Sequence, residues 1–154
     1  DCPSILALSR QNLPTLRSDA SENLCVKGAY VLKKEAKQLD VILISTGSEV
    51  AIAMKVAEKL EANGHGARVV SMPCTELFDE QNASYHAQLL GNEEVLRVSI
   101  EAGSTFGWER YVGRDGLRFG IDSFGASAPI ADLYAHFGLT SDAIVPQIAN
   151  KLNA

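Results

Sequence analysis

From Gly28 onward, short apolar runs of strand length alternate with segments whose apolar residues recur at helical spacing, and no other feature of the sequence restricts the possible folds as tightly. Gly28-Ala29-Tyr30-Val31-Leu32 reads as an edge strand, and Asp40-Val41-Ile42-Leu43-Ile44-Ser45-Thr46 as a buried one that ends at Gly47. Ser48 is then placed to cap a helix, with Glu49 in its first turn and Val50, Ala53, Met54, Ala57 and Leu60 along one face. Asn63-Gly64 stops that helix, because both residues tolerate the left-handed conformation of a helix end. Ala67 to Met72 supplies the next strand, halted by Pro73. Strand, helix and strand in this order make a βαβ unit. A further round follows, with Asp79 to Leu90 as helix, Gly91-Asn92 as its stop and Val95 to Ile100 as a strand ending at Glu101. A short helix is expected around Phe106 to Val112, a turn at Asp115-Gly116, and a last strand over Leu117 to Ile121. Pro129 suits the first turn of a helix stopped by Gly138, and Ser141-Asp142 opens a terminal helix with Val145, Ile148, Ala149 and Leu152 as its apolar stripe. Pro146 removes one hydrogen bond from that last helix. Strands joined by helices pair most economically as a parallel sheet with helical crossovers.

The segment ahead of this alternation differs in kind. Ser4 to Ser9 is a near-continuous apolar run suited to a buried strand, and Arg10-Gln11-Asn12-Leu13-Pro14 is a polar turn closed by proline. Residues 15–24 are polar and weakly patterned, with Ser18 to Asn23 the most linker-like stretch. A lone strand ahead of a linker has no sheet of its own. Residues 1–22 are therefore assigned to the end of a preceding domain and its linker, and residues 23–154 to the domain proper. The chain opens on Asp1 with no charged region before the apolar run, which reads as an internal boundary and not as a signal peptide.

A chain of 154 residues, 46% of them apolar, can bury one sizeable core and not two. Its 14 basic and 19 acidic residues give a net charge of −5 with no basic run, which argues against a nucleic-acid groove or an anionic membrane as partner. No apolar stretch approaches the roughly 20 residues needed to cross a bilayer. Cys2, Cys25 and Cys74 lie far apart, and an odd number cannot close an intrachain disulfide framework, so a reducing, cytoplasmic setting fits.

Few residue sets here suggest chemistry. Gly47-Ser48 stands between a strand and a helix, where backbone amides can meet a phosphate, yet neither G-x-G-x-x-G nor G-x-x-x-x-G-K-[ST] surrounds it, and a plain N-cap is the simpler reading. Gly125-Ala126-Ser127-Ala128 begins like a nucleophile elbow, but Pro129 replaces the second glycine. His65, His86 and His136 have no metal-ligand spacing with one another or with the cysteines, and His65 is expected to face solvent in a Gly-His-Gly turn. Glu101 occupies a strand end at the rim where open α/β sheets place ligands, which suits a functional carboxylate, but a structural acceptor for a helix N-terminus or a solvent-facing charge is the simpler reading. Trp108, Tyr111 and Phe124 are core aromatics by default, or exposed ones that pack on a partner. Arg10, directly after an apolar strand, can present its planar fork at a pocket mouth and hold a carboxylate or phosphate by two parallel bonds.

Several of these segments together match a known pattern. Pro3 to Pro14, with Ser9-Arg10-Gln11-Asn12-Leu13-Pro14 at its heart, is followed in order by Gly28 to Leu32, Thr46-Gly47-Ser48-Glu49-Val50, Ala67 to Pro73, Val98 to Gly103 and Phe124-Gly125-Ala126-Ser127-Ala128-Pro129. The series resembles the C-terminal part of the transketolase family from about Pro3 to Leu152, preceded by the last strand of that family's pyrimidine-binding domain. The resemblance implies a three-layer α/β/α domain with a mostly parallel five-stranded sheet and one antiparallel edge strand. It implies a parent enzyme that is a homodimer, uses thiamine diphosphate and a divalent cation (Mg or Ca), and moves a two-carbon ketol unit from a ketose phosphate to an aldose phosphate in the pentose phosphate pathway. The family's diphosphate-binding motif and ring-activating glutamate belong to its earlier domains and map onto no residue here. No catalytic, cofactor or metal residue is therefore expected in this piece, which would act by packing on the preceding domains. Of the family's substrate contacts only the arginine of S-R-Q maps onto this chain, at Arg10, with the substrate phosphate as its implied ligand. The alternative is a free-standing doubly wound module for a small ligand; a small hydrolase is disfavoured by the failed elbow.

Overall fold

The computed structural model describes residues 3–9 and 11–154. Five strands form one sheet in the order β1-β3-β2-β4-β5, with β1 at Tyr30–Lys33, β2 at Leu39–Ser45, β3 at Gly66–Ser71, β4 at Leu96–Ile100 and β5 at Leu117–Phe119. β2 pairs in parallel with both β3 and β4, β4 pairs in parallel with β5, and β1 is the antiparallel edge strand beside β3. Among the described residues, six α-helices connect and cover the sheet: α1 (Val50–Ala62), α2 (Thr75–Asp79), α3 (Ala83–Leu90), α4 (Glu109–Val112), α5 (Ile130–His136) and α6 (Ser141–Leu152).

The alternation of side chains along a strand decides the layering. In β2, Val41 and Leu43 enter one core cluster with Ala53, Val56, Ala57 and Leu60 of α1 and Ile144, Val145 and Ile148 of α6. Ile42 and Ile44 point the other way and meet Phe78 of α2, Leu89 and Leu90 of α3, and Tyr111 and Val112 of α4. A strand apolar on both faces is buried on both, and the result is three layers, helices on either side of the sheet.

Several local expectations need correction. Asp79 to Leu90 is not one helix: α2 ends at Asp79, and Asn82 caps a new helix, α3, by accepting from the Tyr85 amide at 2.9 Å. An Asn before a helical run is a start signal. Ser48 does not cap α1. A 3₁₀ turn at Gly47–Glu49 precedes the helix, and the Ser48 hydroxyl donates to Glu49 Oε1 at 2.9 Å. Pro146 lies inside α6, where the carbonyl it fails to serve belongs to the exposed Asp142 and water can take the missing bond. β5 is shorter than expected, and α4 is a single turn. Ser4 to Ser9 forms no strand within this chain, and Ile5, Leu6 and Leu8 are 96%, 80% and 80% exposed.

Candidate functional site at the carboxyl rim of the sheet

Strand order fixes where a site can lie. From β2 the chain crosses by α1 to β3 on one side, then returns by α2 and α3 to β4 on the other, so the loops that leave β2 and β4 diverge at their carboxyl ends. In open α/β sheets this reversal point is the crevice that receives ligands. Ser45 and Ile100 are register partners there, and the Ser45 hydroxyl donates to the Ile100 carbonyl at 2.7 Å, so the two strand ends are tied before the chain turns. The next residues, Thr46 to Glu49 on one side and Glu101 on the other, line a cleft of about 520 Å³ together with Pro73 and residues 5–9. Its size is that of a small-ligand site.

Glu49 is 3% exposed. The hydroxyl of Tyr134, on α5, donates to its Oε1 at 2.5 Å, and Gln11 Nε2 lies 3.5 Å from the same tyrosine oxygen. Burial and the bond to Glu49 push the Tyr134 hydroxyl up to about 12, so it stays a proton donor. Across the cleft, Glu101 Oε2 is closed off from solvent without a hydrogen-bond partner among the described residues. Burial first, and the Glu49 charge second, push the Glu101 carboxyl up to about 7, against a smaller pull from the Thr46 amide. Glu101 thus changes charge near neutrality, and carboxyls shifted in this way cluster at functional sites.

A pH dependence follows. The unfolded carboxyl ionises near 4.5 and the folded one near 7, so between these values the folded state binds more protons and stability falls as pH rises. Discounted for partial solvent screening of the group, the loss above pH 7 is about 1–2 kcal/mol. Glu101→Gln removes it: the variant is more stable than the parent chain by that amount at about pH 8 and gains nothing at about pH 4.5, as urea unfolding at the two pH values would measure. Equal effects at both pH values would mean that Glu101 is not a raised carboxyl.

A second cavity, about 540 Å³, lies at the opposite end of the strands and carries Asp40, Glu94, Arg97, Asp115 and Lys151. Its Arg97 is committed to structure, donating to the carbonyls of Leu90 at 2.8 Å and Asn92 at 3.1 Å. The carboxyl rim is the better candidate.

The other residues singled out in the sequence disperse. Arg10 lies outside the described residues. His65 is not in solvent; it is half-buried, with Nδ1 3.9 Å from Asp40 Oδ2. His86 stacks on Phe78 at 4.4 Å, and His136 packs edge-on against Phe137. Tyr111 is core, Trp108 packs against that core, and Phe124 is 99% exposed. Gly125 to Pro129 leads into α5 as an irregular segment with Pro129 at the N-cap position. Nothing in the sequence marks Glu49 as buried, because a carboxylate in a first helical turn is an ordinary dipole partner. Only the distant Tyr134 shows it to be buried.

A doubly wound α/β domain with one antiparallel edge strand and a cleft at its strand-order reversal defines a broad class, shared by many functions. Comparison narrows it. Residues 28–140 match the model of the transketolase-like TK C-terminal domain, and the chain belongs to that family. It is 52% identical over 145 residues to a chloroplastic transketolase of Solanum tuberosum, covering 93% of this chain and 19% of that protein. It is 48% identical over 152 residues to a transketolase of Sinorhizobium medicae, covering 97% and 22%. Among solved structures, a transketolase of Pichia stipitis in complex with sedoheptulose-7-phosphate superposes with a TM-score of 0.83 at 35% identity, covering 94% of this chain and 20% of that one. The chain thus spans about a fifth of the length of these relatives.

Proposed function

We propose that this chain is the supporting C-terminal part of a transketolase, which transfers a two-carbon ketol unit between sugar phosphates. The match of residues 28–140 to the family's C-terminal domain carries this reading. Residues 1–22 then complete the preceding pyrimidine-binding domain and form the linker, while residues 23–154 pack on the remainder of the enzyme. The exposed Ile5, Leu6 and Leu8 support this, since an apolar segment without strand partners is suited to complete a sheet elsewhere. The parent enzyme is a homodimer that uses thiamine diphosphate and a divalent cation. Its cytoplasmic setting accords with the free thiols of Cys25 and Cys74.

The rim cleft does not fit thiamine diphosphate. Its described lining carries two carboxyls and no basic side chain, the wrong charge for a diphosphate. The chain's contribution to chemistry is instead a single positioned cation, Arg10, whose guanidinium holds the substrate phosphate by charge-assisted bonds and orients the sugar toward the cofactor on other domains. In the full-length enzyme, Arg10→Ala lowers kcat/KM for phosphorylated ketoses by about 2–3 kcal/mol, mostly through KM, and leaves unphosphorylated analogues nearly unchanged. Steady-state kinetics on the two substrate types checks it, with no turnover by the 154-residue chain alone as the accompanying control. Equal losses for both types would remove Arg10 from the phosphate site.

A further inference from the structure

We infer that the carboxyl rim of the sheet is the docking face for the domain that residues 3–9 complete in the full-length chain, with the rings of Phe106 and Phe124 as its anchors. The inference deepens the function proposed above and rests on it. Phe106, on the loop after β4, and Phe124, on the loop after β5, are 89% and 99% exposed, more than any other large apolar side chain described between residues 23 and 154. Single apolar side chains on a surface are ordinary, but these two stand on loops that are fastened together. The Asp122 carboxylate, two residues before Phe124, accepts from the Thr105 amide next to Phe106 at 2.8 Å, from the Thr105 hydroxyl at 2.7 Å and from the Ser104 hydroxyl at 3.1 Å. The Ile121 amide donates to the Gly103 carbonyl at 2.7 Å. Gly120 lets the loops close this far, since a Cβ there would stand 2.7 Å from the same carbonyl. The loops that carry both rings are thus ordered before a partner arrives, and aromatic anchors presented in this way carry much of the energy of an interface.

Continuity along the rim identifies the occupant. Residues 5–9 lie against residues 46–49 and Glu101, and Gln11 Nε2 comes to 3.5 Å from the Tyr134 hydroxyl on α5. Ile130, one turn before Tyr134 on the same face of α5, is exposed as well, and Glu101 opens the loop that carries Phe106. A segment that joins the preceding domain's sheet from this position brings that domain over the rim. The linker of residues 15–24 spans at most about 36 Å when fully extended, so the domain is held near the face at an effective concentration that a second copy lacks. An anionic membrane is disfavoured by the net charge of −5 and the lack of a basic run.

The test uses the full-length gene product with a site-specific protease sequence inserted in the exposed linker between Asp19 and Ala20. Cutting there leaves residues 3–9 with the preceding domain, so the severed piece stays only through its docking face. Size-exclusion chromatography over a dilution series measures its retention. The parental piece should co-elute with the remainder, and Phe106→Ser combined with Phe124→Ser should raise the dissociation constant about tenfold or more. The corresponding Leu pair should recover most of the loss, because it restores apolar area at the same places. Val26→Ser, at an exposed apolar residue on the turn before β1, should change nothing. Release of the parental piece, unchanged retention in the Ser pair, or an equal loss in Val26→Ser would overturn the inference. So would a Ser pair that stays attached while the enzyme falls to half its mass, since a second copy would then be the occupant. Ketol transfer by the uncut parental product is assayed alongside: activity with unchanged retention sinks the docking face alone, whereas absence of activity sinks the parent function on which it rests.

Discussion

Gly28→Ala is expected to destabilise the domain by about 3–5 kcal/mol, far beyond the usual cost of an alanine at a turn. Gly28 ends the short 3₁₀ turn before β1 with φ of 79°, a left-handed conformation that by itself disfavours a side chain by about 1–2 kcal/mol. The larger part comes from what lies above it. A Cβ on Gly28 would stand 2.2 Å from the Phe78 nitrogen and 2.3 Å from the Cys74 oxygen, both main-chain atoms of the α2 turn that no rotamer change can move. The same contact carries the bond from the Cys74 amide to the Gly28 carbonyl at 3.0 Å, so relief of the clash breaks it. Gly64→Ala is the control: φ is 100° there, but nothing lies within 4 Å of the added Cβ, and the cost stays near 1 kcal/mol. Urea unfolding of both variants tests the difference. Similar losses would show that the close approach of α2 contributes nothing.

Phe78→Ala should cost a similar amount, about 3–5 kcal/mol, by a different route. Phe78 is fully buried and is the largest such side chain on the α2–α4 face of the sheet. Its ring stacks on His86 at 4.4 Å and lies 6.3 Å from Tyr85 and 6.1 Å from Tyr111, so one residue joins α2, α3 and α4 over Ile42, Ile44 and Val70. Truncation removes the transfer free energy of the ring and leaves a cavity that three short helices cannot close without leaving the sheet. Phe78→Leu restores most of the volume and should recover all but about 1.5 kcal/mol. A Phe78→Ala loss below about 1 kcal/mol, measured by chemical denaturation, would mean that the three helices are held chiefly by other contacts.

The two predictions also separate what could be read in the residues from what could not. The parallel core was legible because β2 is apolar on both faces and α1 repeats its apolar residues at helical spacing. Such patterns are local and need no knowledge of neighbours. The break between α2 and α3 is hard to see in the sequence, because Asp79 to Leu90 is long enough for one helix and only the Asn82 cap marks a new start. The role of Gly28 was equally hidden, since a glycine before a strand says nothing of a helix turn docking on it from residues 74–78. Glu101 stands out by its place at a strand end, whereas Glu49 has the sequence position of an ordinary first-turn acid.

By itself the sequence determined the alternating elements, which side chains face inward, and the family to which they are similar, because each depends on periodicity or ordered motifs along the chain. The tertiary structure alone decided that β2 and β4 are neighbours. Their carboxyl ends therefore bring Glu49 and Glu101 to one cleft, and Tyr134 reaches back from α5 to bury the first of them. Strand order is a long-range packing outcome, and the shift of a carboxyl toward neutrality depends on solvent exclusion and on a charge remote in sequence; neither leaves a local mark on the residues concerned.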